Sequence, residues 1–508
     1  MGNASPRLGT AEIQSPVLDP QMAWQPLPAT QWDENAARHL LRRAAWTAQP
    51  DDVTRAIQEG LPATLARLFP AAPVAFPKPK LITTLQEDTP DFAQRVRATL
   101  PEEKRLLQKE ARDRSQQALF DLAIRWLQFA ALPEHSAAEK WTLFLSDVFV
   151  VSSEKVRNAA LVCNHFETLR NHSFGPAPTL TKAVSRSPAM VQYLDLQESR
   201  RNAPNENFAR ELFELFLVGE SNYTEKDIKE AAKAFTGYRQ RFGEFNFVPN
   251  QHDPGHKTVF GHTGNFTGDQ VIDLAYQLPA AGAFLPGEMA RFYLSDEPLP
   301  KDLLASIGTW WREQGYSLQA LTHRFFGSRL FFDLSYRANY IKSPVQLYLG
   351  LVQDLQLDVP PLPRRVLGSF RQMGQTLFAP PNVRGWVGGR NWINASTLNA
   401  RRLLVQSLFS PINEANLNAD ELAEIANVRA TGHDHFSMEP ERLKSFSGLT
   451  AEQLADRLID SFLPTKVDDS FRREVRQFLA DDSQFKRPID RIRNAAVTLL
   501  QSPEYQLC

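Results

Sequence analysis

The sequence predicts a mainly α protein, a multi-helix globular body with a small β-hairpin-like insert near residues 240–262. Three observations predict this class. Apolar residues recur at three- and four-residue steps along most of the 508 residues, as they do on amphipathic helices. Several of these segments begin at a capping residue. Strand-like alternation is confined to one short region.

Composition indicates a folded, water-soluble chain. Hydrophobic residues make up 43% and charged residues 23%, as in ordinary globular proteins. The 57 Lys and Arg residues balance 58 Asp and Glu residues, for a formal charge of -1. A dedicated nucleic-acid binder would carry a basic excess, so we expect no nucleic-acid partner. Two cysteines are too few for a disulfide framework or a cysteine-rich zinc site.

The first thirty residues lack the basic start and apolar run of a signal peptide. No window reaches the roughly eighteen consecutive apolar residues that suit a membrane span. We expect a protein that does not span a membrane and that is cytoplasmic as the sequence stands. Removal of an export signal would instead make it periplasmic or secreted.

The chain is predicted to divide at proline-rich and irregular stretches. Four prolines in residues 70–79 favour an extended linker. The predicted parts are a Pro-rich tail (1–31), an N-terminal helical segment (32–69), the linker (70–80), a main helical body (81–410), an irregular loop (411–440) and a C-terminal helical segment (441–508).

Two segments show the helical reading best. Residues 102–131 carry Leu119, Leu122 and Trp126 at helical spacing in a charged sequence. Thr224 caps residues 224–236, with Asp227 three positions on. Similar units lie near 39–48, 189–198, 268–278, 316–328, 343–355 and 486–501.

Strand-like alternation appears at residues 242–248, where Phe245 and Phe247 share one side. It returns briefly at residues 257–260. The chain has no phosphate-cradling GxxxxGK[ST], no GxGxxG, no GxSxG, no HExxH and no CxxC motif. Nucleotide-fold, serine-hydrolase and zincin activities are therefore without support.

The first candidate site is the segment Asn205–Leu215. On a regular helix Glu206, Arg210 and Glu214 would form one stripe. One interpretation is an exposed ion-pair ladder worth about 0.3–0.5 kcal/mol per pair. The other is that these residues and Glu211 point into a cleft as catalytic groups or metal ligands, with Arg210 orienting a carboxylate. We expect Arg210 to be buried between Glu206 and Glu214, because apolar residues surround the stripe.

The second candidate site is the loop 252–258, next to the strand signal. His252 and Asp253 are candidate ligands of a divalent cation, the cofactor that this site would take, and Lys257 is a candidate catalytic residue for a phosphate-like anion. The alternative is a turn in which Asp253 accepts backbone hydrogen bonds and Lys257 is solvated. We expect a carboxylate of the first segment within roughly 8 Å of His252 or Asp253, close enough to share an ion.

The third segment, residues 380–394, contains two prolines, three glycines and two tryptophans. This composition demands a tightly specified irregular path. Structural packing is one explanation, and an aromatic-walled ligand cleft, for example for a sugar, is the other.

Motifs along nearly the whole chain, from about residue 32 to 505, resemble those of the bacterial family of unknown function called DUF1800. They are His39–Ala44, Ser187–Met190, Tyr193–Asp195, Asn205–Leu215, Tyr223–Glu225, Ala234–Gly237, His252–Asp253 with Gly255 and Lys257–Thr258, Ile341–Pro344, Gly374–Phe378, Pro380–Gly389 and Ser502–Tyr505. The resemblance implies a largely helical bacterial protein, often exported. It also implies that the protein is encoded beside a member of another uncharacterised family, DUF1501, which looks like a relative of alkaline phosphatases and sulfatases.

One departure from the family pattern is informative. Members usually carry a Trp-His-x-His-Phe run where this chain has Leu145–Phe149, so Ser146 and Val148 replace both histidines. Asp147 remains as one oxygen ligand. The departure favours a non-catalytic relative, so an accessory protein that holds a DUF1501-like partner is the leading hypothesis. The alternative is a metal-assisted hydrolase or transferase acting on a polar or anionic substrate.

Overall fold

The computed structural model describes residues 19–508 except 447, 465–466, 482, 484 and 486, so most of the predicted N-terminal tail lies outside the described residues. Helices dominate, and the predicted mainly α class is confirmed. The first twelve are α1 (Pro20–Ala23), α2 (Glu34–Ala44), α3 (Pro50–Leu68), α4 (Lys80–Ala98), α5 (Pro101–Ala130), α6 (Pro133–Val148), α7 (Ala159–His172), α8 (Ala177–Ser185), α9 (Pro188–Tyr193), α10 (Asn207–Glu211), α11 (Glu225–Ala234) and α12 (Gly268–Ala275).

The second half of the chain continues the same pattern of helices joined by short turns. Its helices are α13 (Pro279–Tyr293), α14 (Lys301–Glu313), α15 (Leu318–Phe326), α16 (Pro344–Asp354), α17 (Pro363–Gln372), α18 (Ala395–Leu408), α19 (Ala419–Ala430), α20 (Pro440–Leu443), α21 (Ala451–Phe462), α22 (Asp469–Ala480) and α23 (Pro488–Leu500). No helix among the described residues is both long and apolar enough to cross a membrane.

Local sequence explains where the helices begin. The Thr224 side chain accepts a hydrogen bond from Asp227 N while the Asp227 carboxylate accepts one from Thr224 N, a complete capping box at the start of α11. Pro101 opens α5 at its first position, where a missing N–H costs nothing, and two glutamates follow it. Both helices were predicted, within a residue or two of these bounds.

The predicted β insert is confirmed, and it consists of two small antiparallel hairpins. Strand β1 (Tyr238–Arg241) pairs with β2 (Glu244–Phe247), and β3 (Lys257–Val259) pairs with β4 (His262–Gly264). Each hairpin turns through two residues with positive φ, the second of which is a glycine. Such turns match the right-handed twist of the strands they join.

The predicted irregular loop 411–440 is wrong in its middle, because α19 occupies it. Asn418 accepts from Glu421 N, and the Glu421 side chain accepts from Asn418 N, so a capping box begins this helix. Its buried residue Ile425 packs with Leu362 and Phe436 in a small satellite cluster. Ile425 is the one buried residue among those described in this helix, so its apolar residues produce only a weak periodic signal and its sequence resembles a loop.

The main core is a single cluster that runs from α1 to the C-terminal segment. Trp46, Trp126 and Trp141 are among its largest fully buried side chains. The core also encloses an ion pair between Glu139 of α6 and Arg170 of α7, both almost without exposure. Helix α6 therefore places a buried carboxylate in the main core.

Candidate functional site

The first candidate segment is not one regular helix. It begins as α10 and continues as a π-helix from Leu212 to Leu217, which Val218 N closes by donating to Phe213 O. A π turn holds more residues than an α turn, so side chains beyond it are rotated away from the α stripe. Glu214 lies within this π segment, and among the described residues it forms no ion pair with Arg210.

Arg210 is not buried between Glu206 and Glu214, so that prediction is wrong. Its side chain is 35% exposed, and it donates to both carboxylate oxygens of Glu225 at 2.8 Å. Glu206 lies 3.5 Å away as a second partner. The hydrogen bonds that Arg210 donates to Glu225 raise the pKa of Arg210 above its usual range. The pair joins α10 to the start of α11 at the surface.

Glu214 instead accepts from two other groups. Arg384 donates to Glu214 Oε1 at 2.8 Å and also to Glu220 Oε1 at 2.9 Å. The Tyr223 hydroxyl donates to Glu214 Oε2 at 2.8 Å. Burial, together with this bond to a carboxylate, raises the pKa of Tyr223 to about 12. Arg384 thus ties the segment 380–394 to the first candidate segment.

Glu211 lies beside this network, half-buried. Burial raises its pKa, and the charge of Glu214 raises it further, while Arg384 and Arg210 act in the opposite direction. We call the set of seven side chains the acidic surface, because it combines five carboxylates with two guanidinium groups: Glu206, Arg210, Glu211, Glu214, Glu220, Glu225 and Arg384.

The second candidate loop is held by its own hydrogen bonds. The Asp253 carboxylate accepts from Gly255 N at 2.7 Å, and Asp253 N donates to the Thr236 hydroxyl at 2.8 Å. His252 Nδ1 lies 3.0 Å from Thr236 O. These hydrogen bonds form the turn that is the alternative interpretation to a ligand site. Lys257 departs from that interpretation, because its side chain is buried and not solvated.

The Lys257 ammonium donates to Asp253 O at 2.8 Å, Gly255 O at 2.9 Å and Asn265 Oδ1 at 3.1 Å. Three acceptors use all three of its protons. Burial lowers the pKa of Lys257, and the charge of Asp253 opposes that change. The lysine therefore fastens the loop, and it is not a solvated side chain.

The two candidate segments have separate polar partners. Carboxylates of α11 hold the β3–β4 hairpin, because Asp227 accepts from Phe260 N at 2.7 Å and Glu230 from Thr258 N at 3.1 Å. No hydrogen bond or ion pair of the described residues joins Glu206, Glu211 or Glu214 to His252 or Asp253. The expected 8 Å separation stays a prediction. Among the residues described, no group of three His, Cys, Asp or Glu side chains is placed to hold a metal ion.

The segment 380–394 follows the irregular path that its composition predicted. Trp386 N donates to Asp147 Oδ1 at 2.8 Å, and Arg390 N donates to Asp296 Oδ2 at 3.0 Å. Gly385 and Gly389 have positive φ, and a Cβ at either would overlap the carboxylate beside it. Asp147 and Asp296 thus hold the loop by accepting its backbone hydrogen bonds. Only glycine fits beside these carboxylates at positions 385 and 389.

Asp147 borders a small cavity of about 30 Å³. Burial raises its pKa to about 7, and the backbone hydrogen bond from Trp386 opposes that change. Lys140 lines the same cavity, and burial lowers its pKa to about 7 although it donates to two backbone carbonyls. The cavity also contacts Ser343, Gln375 and Gly388, so three of the motif segments meet here.

Sequence reasoning missed Arg384, Tyr223 and Glu225 as members of the site. Each lies in a motif that was singled out, but no spacing rule joins segments so far apart along the chain. It also missed Lys140, which lies in α6 among residues that are buried on almost every side of the helix.

Arg210→Ala should lower the free energy of unfolding by under about 1 kcal/mol, because a partly exposed ion pair is screened by water. Denaturant melts that follow helical circular dichroism measure this as a small midpoint shift at unchanged slope. The same change at Arg38, which pairs with exposed Glu34 on α2, is the matched control. A loss of 3 kcal/mol or more, the size expected for a buried pair, would contradict the exposed geometry.

Together the helical fold and these motif segments define the class of protein. The family model for a protein of unknown function (DUF1800) matches residues 39–507. The chain belongs to the DUF1800 family over nearly its full length. No curated protein and no solved structure matches the chain.

Proposed function

We propose that this DUF1800 member is an accessory protein that holds a partner protein, and that the acidic surface is where the partner docks. One observation carries the proposal. Two motif segments, Asn205–Leu215 and Pro380–Gly389, meet at this surface through Arg384, which bonds Glu214 and Glu220. Exposed ion pairs of this kind add little to stability. Recognition is a better reason for bringing them together.

The rigidity of the neighbouring loop supports the proposal. In the segment 380–394 the side chains of Trp386 and Trp392 are buried. Those of Arg384, Val387 and Arg390 are exposed. A fixed loop that presents its side chains loses little conformational entropy when a partner binds. Loops on a rigid scaffold are common places for binding residues.

The charge of the surface sets the chemistry of the partner. Five carboxylates outnumber two guanidinium groups, so the complementary surface is basic. The family resemblance supplies the partner class, a DUF1501-like protein related to phosphatases and sulfatases. We therefore propose a DUF1501-like partner with a basic patch. Under this proposal Glu206, Arg210, Glu211 and Glu214 act in binding and not in catalysis.

Charge reversal at the most exposed acids tests the proposal. Glu220 and Glu225 are about two-thirds exposed, so the variant E220K/E225K should fold. We expect its affinity for a DUF1501-like protein of the same genome to fall by about tenfold or more at low salt. Titration of the purified proteins by surface plasmon resonance measures this.

Glu452→Lys is the matched control, because Glu452 is equally exposed and pairs with Arg476 on the distant C-terminal helices. This variant should bind like wild type. Wild-type protein that fails to bind the DUF1501-like protein, or reversal variants that bind as well as wild type, would refute the proposal.

A further inference from the structure

A polar cavity of about 330 Å³ lies against one face of α2. Asn35, Arg38, His39 and Arg42 line it at intervals of three and four residues, so they share one face of that helix. Arg337 contributes from the segment that precedes α16. No Asp or Glu is among the residues that line it.

Two guanidinium groups of this cavity contain nitrogen atoms without a hydrogen-bond partner. Arg42 is 5% exposed, and its Nη2 has no hydrogen-bond partner. Arg337 Nε is also buried without one. Among the described residues, no acidic side chain forms an ion pair with Arg42 or Arg337. A buried charge without a partner is costly, so native proteins rarely contain one unless a ligand or water completes it.

Arg38 and His39, which also line the cavity, already have partners. Arg38 donates to Glu34 at the surface, which offsets one of the three positive charges. His39 Nε2 lies 2.9 Å from Phe331 O, which places the ring proton on Nε2. Burial lowers the pKa of His39 to about 3, and the charges of Arg43, Arg337 and Arg42 contribute. The histidine is therefore neutral. Arg42 feels the charges of Asp354 and Cys508, but Arg42 Nη2 and Arg337 Nε still have no hydrogen-bond partner.

We propose that this cavity binds a small organic molecule through a phosphate group, held by Arg42 and Arg337. A phosphate monoester carries close to two negative charges at neutral pH and accepts several hydrogen bonds, which matches two unpaired guanidinium groups. The cavity is larger than the group itself and lies at the lower end of the range for small-molecule sites, about 300–1,000 Å³. The site is independent of the acidic surface.

Thermal unfolding of the whole chain tests this site, with phenyl phosphate as the probe and sodium chloride at equal ionic strength as the reference. Because a ligand that binds the native state alone raises the melting temperature, phenyl phosphate should raise it in a dose-dependent way. Phenyl sulfate has a similar shape and one charge fewer, so it should produce a smaller shift. Equal melting temperatures in phenyl phosphate and chloride, or an equal shift from phenyl sulfate, would overturn the proposal.

Substitution separates binding from a structural role. Arg42→Gln should weaken phenyl phosphate binding by at least about tenfold, because charged hydrogen bonds are lost. Without ligand it should melt at or above the wild-type temperature, because the unpaired charge is gone. A merely structural arginine would give the reverse, a lower melting temperature in the absence of ligand.

Two further variants keep the test decisive. Arg337→Gln removes the second, less buried guanidinium and should also weaken binding, even if Arg42→Gln does not fold. Arg487→Gln changes an exposed arginine that pairs with Asp490 and should bind like wild type. Retention of the full phosphate-dependent shift in both Arg42→Gln and Arg337→Gln would refute the site.

Discussion

Arg170→Met should lower the free energy of unfolding by about 3–5 kcal/mol, because it leaves the Glu139 carboxylate buried without its counter-charge. Arg170 donates from Nε to Glu139 Oε1 at 3.0 Å and from Nη2 to the other oxygen. Its guanidinium also faces the rings of Phe76, Phe129 and Phe166. Trp126 Nε1 donates to the same carboxylate at 2.8 Å. Guanidinium chloride unfolding measures the loss.

A double variant distinguishes a stranded charge from lost packing. In E139Q/R170M the glutamine still accepts from Trp126, and no buried charge remains. We expect it to be more stable than the Arg170→Met single variant, with a coupling energy of about 1–3 kcal/mol. Arg186→Met removes an exposed partner of Asp269 and should cost under about 1 kcal/mol. A double variant less stable than the single one would contradict this account of the pair.

Asp147→Asn should raise the free energy of unfolding at pH 8 by about 2–4 kcal/mol and leave it nearly unchanged at pH 4. The pKa of Asp147 is raised from 3.8 to about 7 by burial. Below pH 3.8 the carboxyl is protonated in both the folded and the unfolded state. As pH rises toward 7 only the unfolded state ionises, so the wild type loses stability over that window. The uncharged asparagine does not.

The Asp147 carboxyl accepts a hydrogen bond from Trp386 N, and the charge of Glu288 raises its pKa further. Asparagine keeps an acceptor for Trp386, whereas Asp147→Ala loses it. The alanine variant should therefore be less stable than the asparagine variant at every pH. Urea melts at half-unit steps from pH 4 to 8 measure both differences. A constant difference between wild type and Asp147→Asn across that range would show that Asp147 does not titrate as described.

Local sequence was sufficient for elements whose cause is local. Helix α11 was predicted from Thr224 and Asp227, because a capping box satisfies backbone groups within four residues. The hairpin region was found from alternating phenylalanines. The family was identified from ordered motifs and is confirmed. The middle of 411–440 was missed because helix α19 has few buried residues to produce a periodic signal.

The charged residues of the candidate site were found by type but not by partner. Glu206, Arg210 and Glu214 were placed on one stripe of a regular helix, but Glu214 lies in a π segment and pairs with Arg384. A π turn is stabilised by tertiary packing, so no local pattern predicts it. Asp253 was assigned to a ligand site or a turn with equal weight, and backbone hydrogen bonds place it in a turn.

By itself, the sequence determined the helical class, the position of several helices, the absence of a basic excess and membership of a family, because these depend on short-range periodicity, capping, composition and motif order. Only the tertiary structure decided which charges pair. Glu214 meets Arg384 across 170 positions, Glu139 meets Arg170 within the core, and Arg42 forms no ion pair among the described residues. Burial and pairing set the energy of a charge, and both arise only when distant segments pack together.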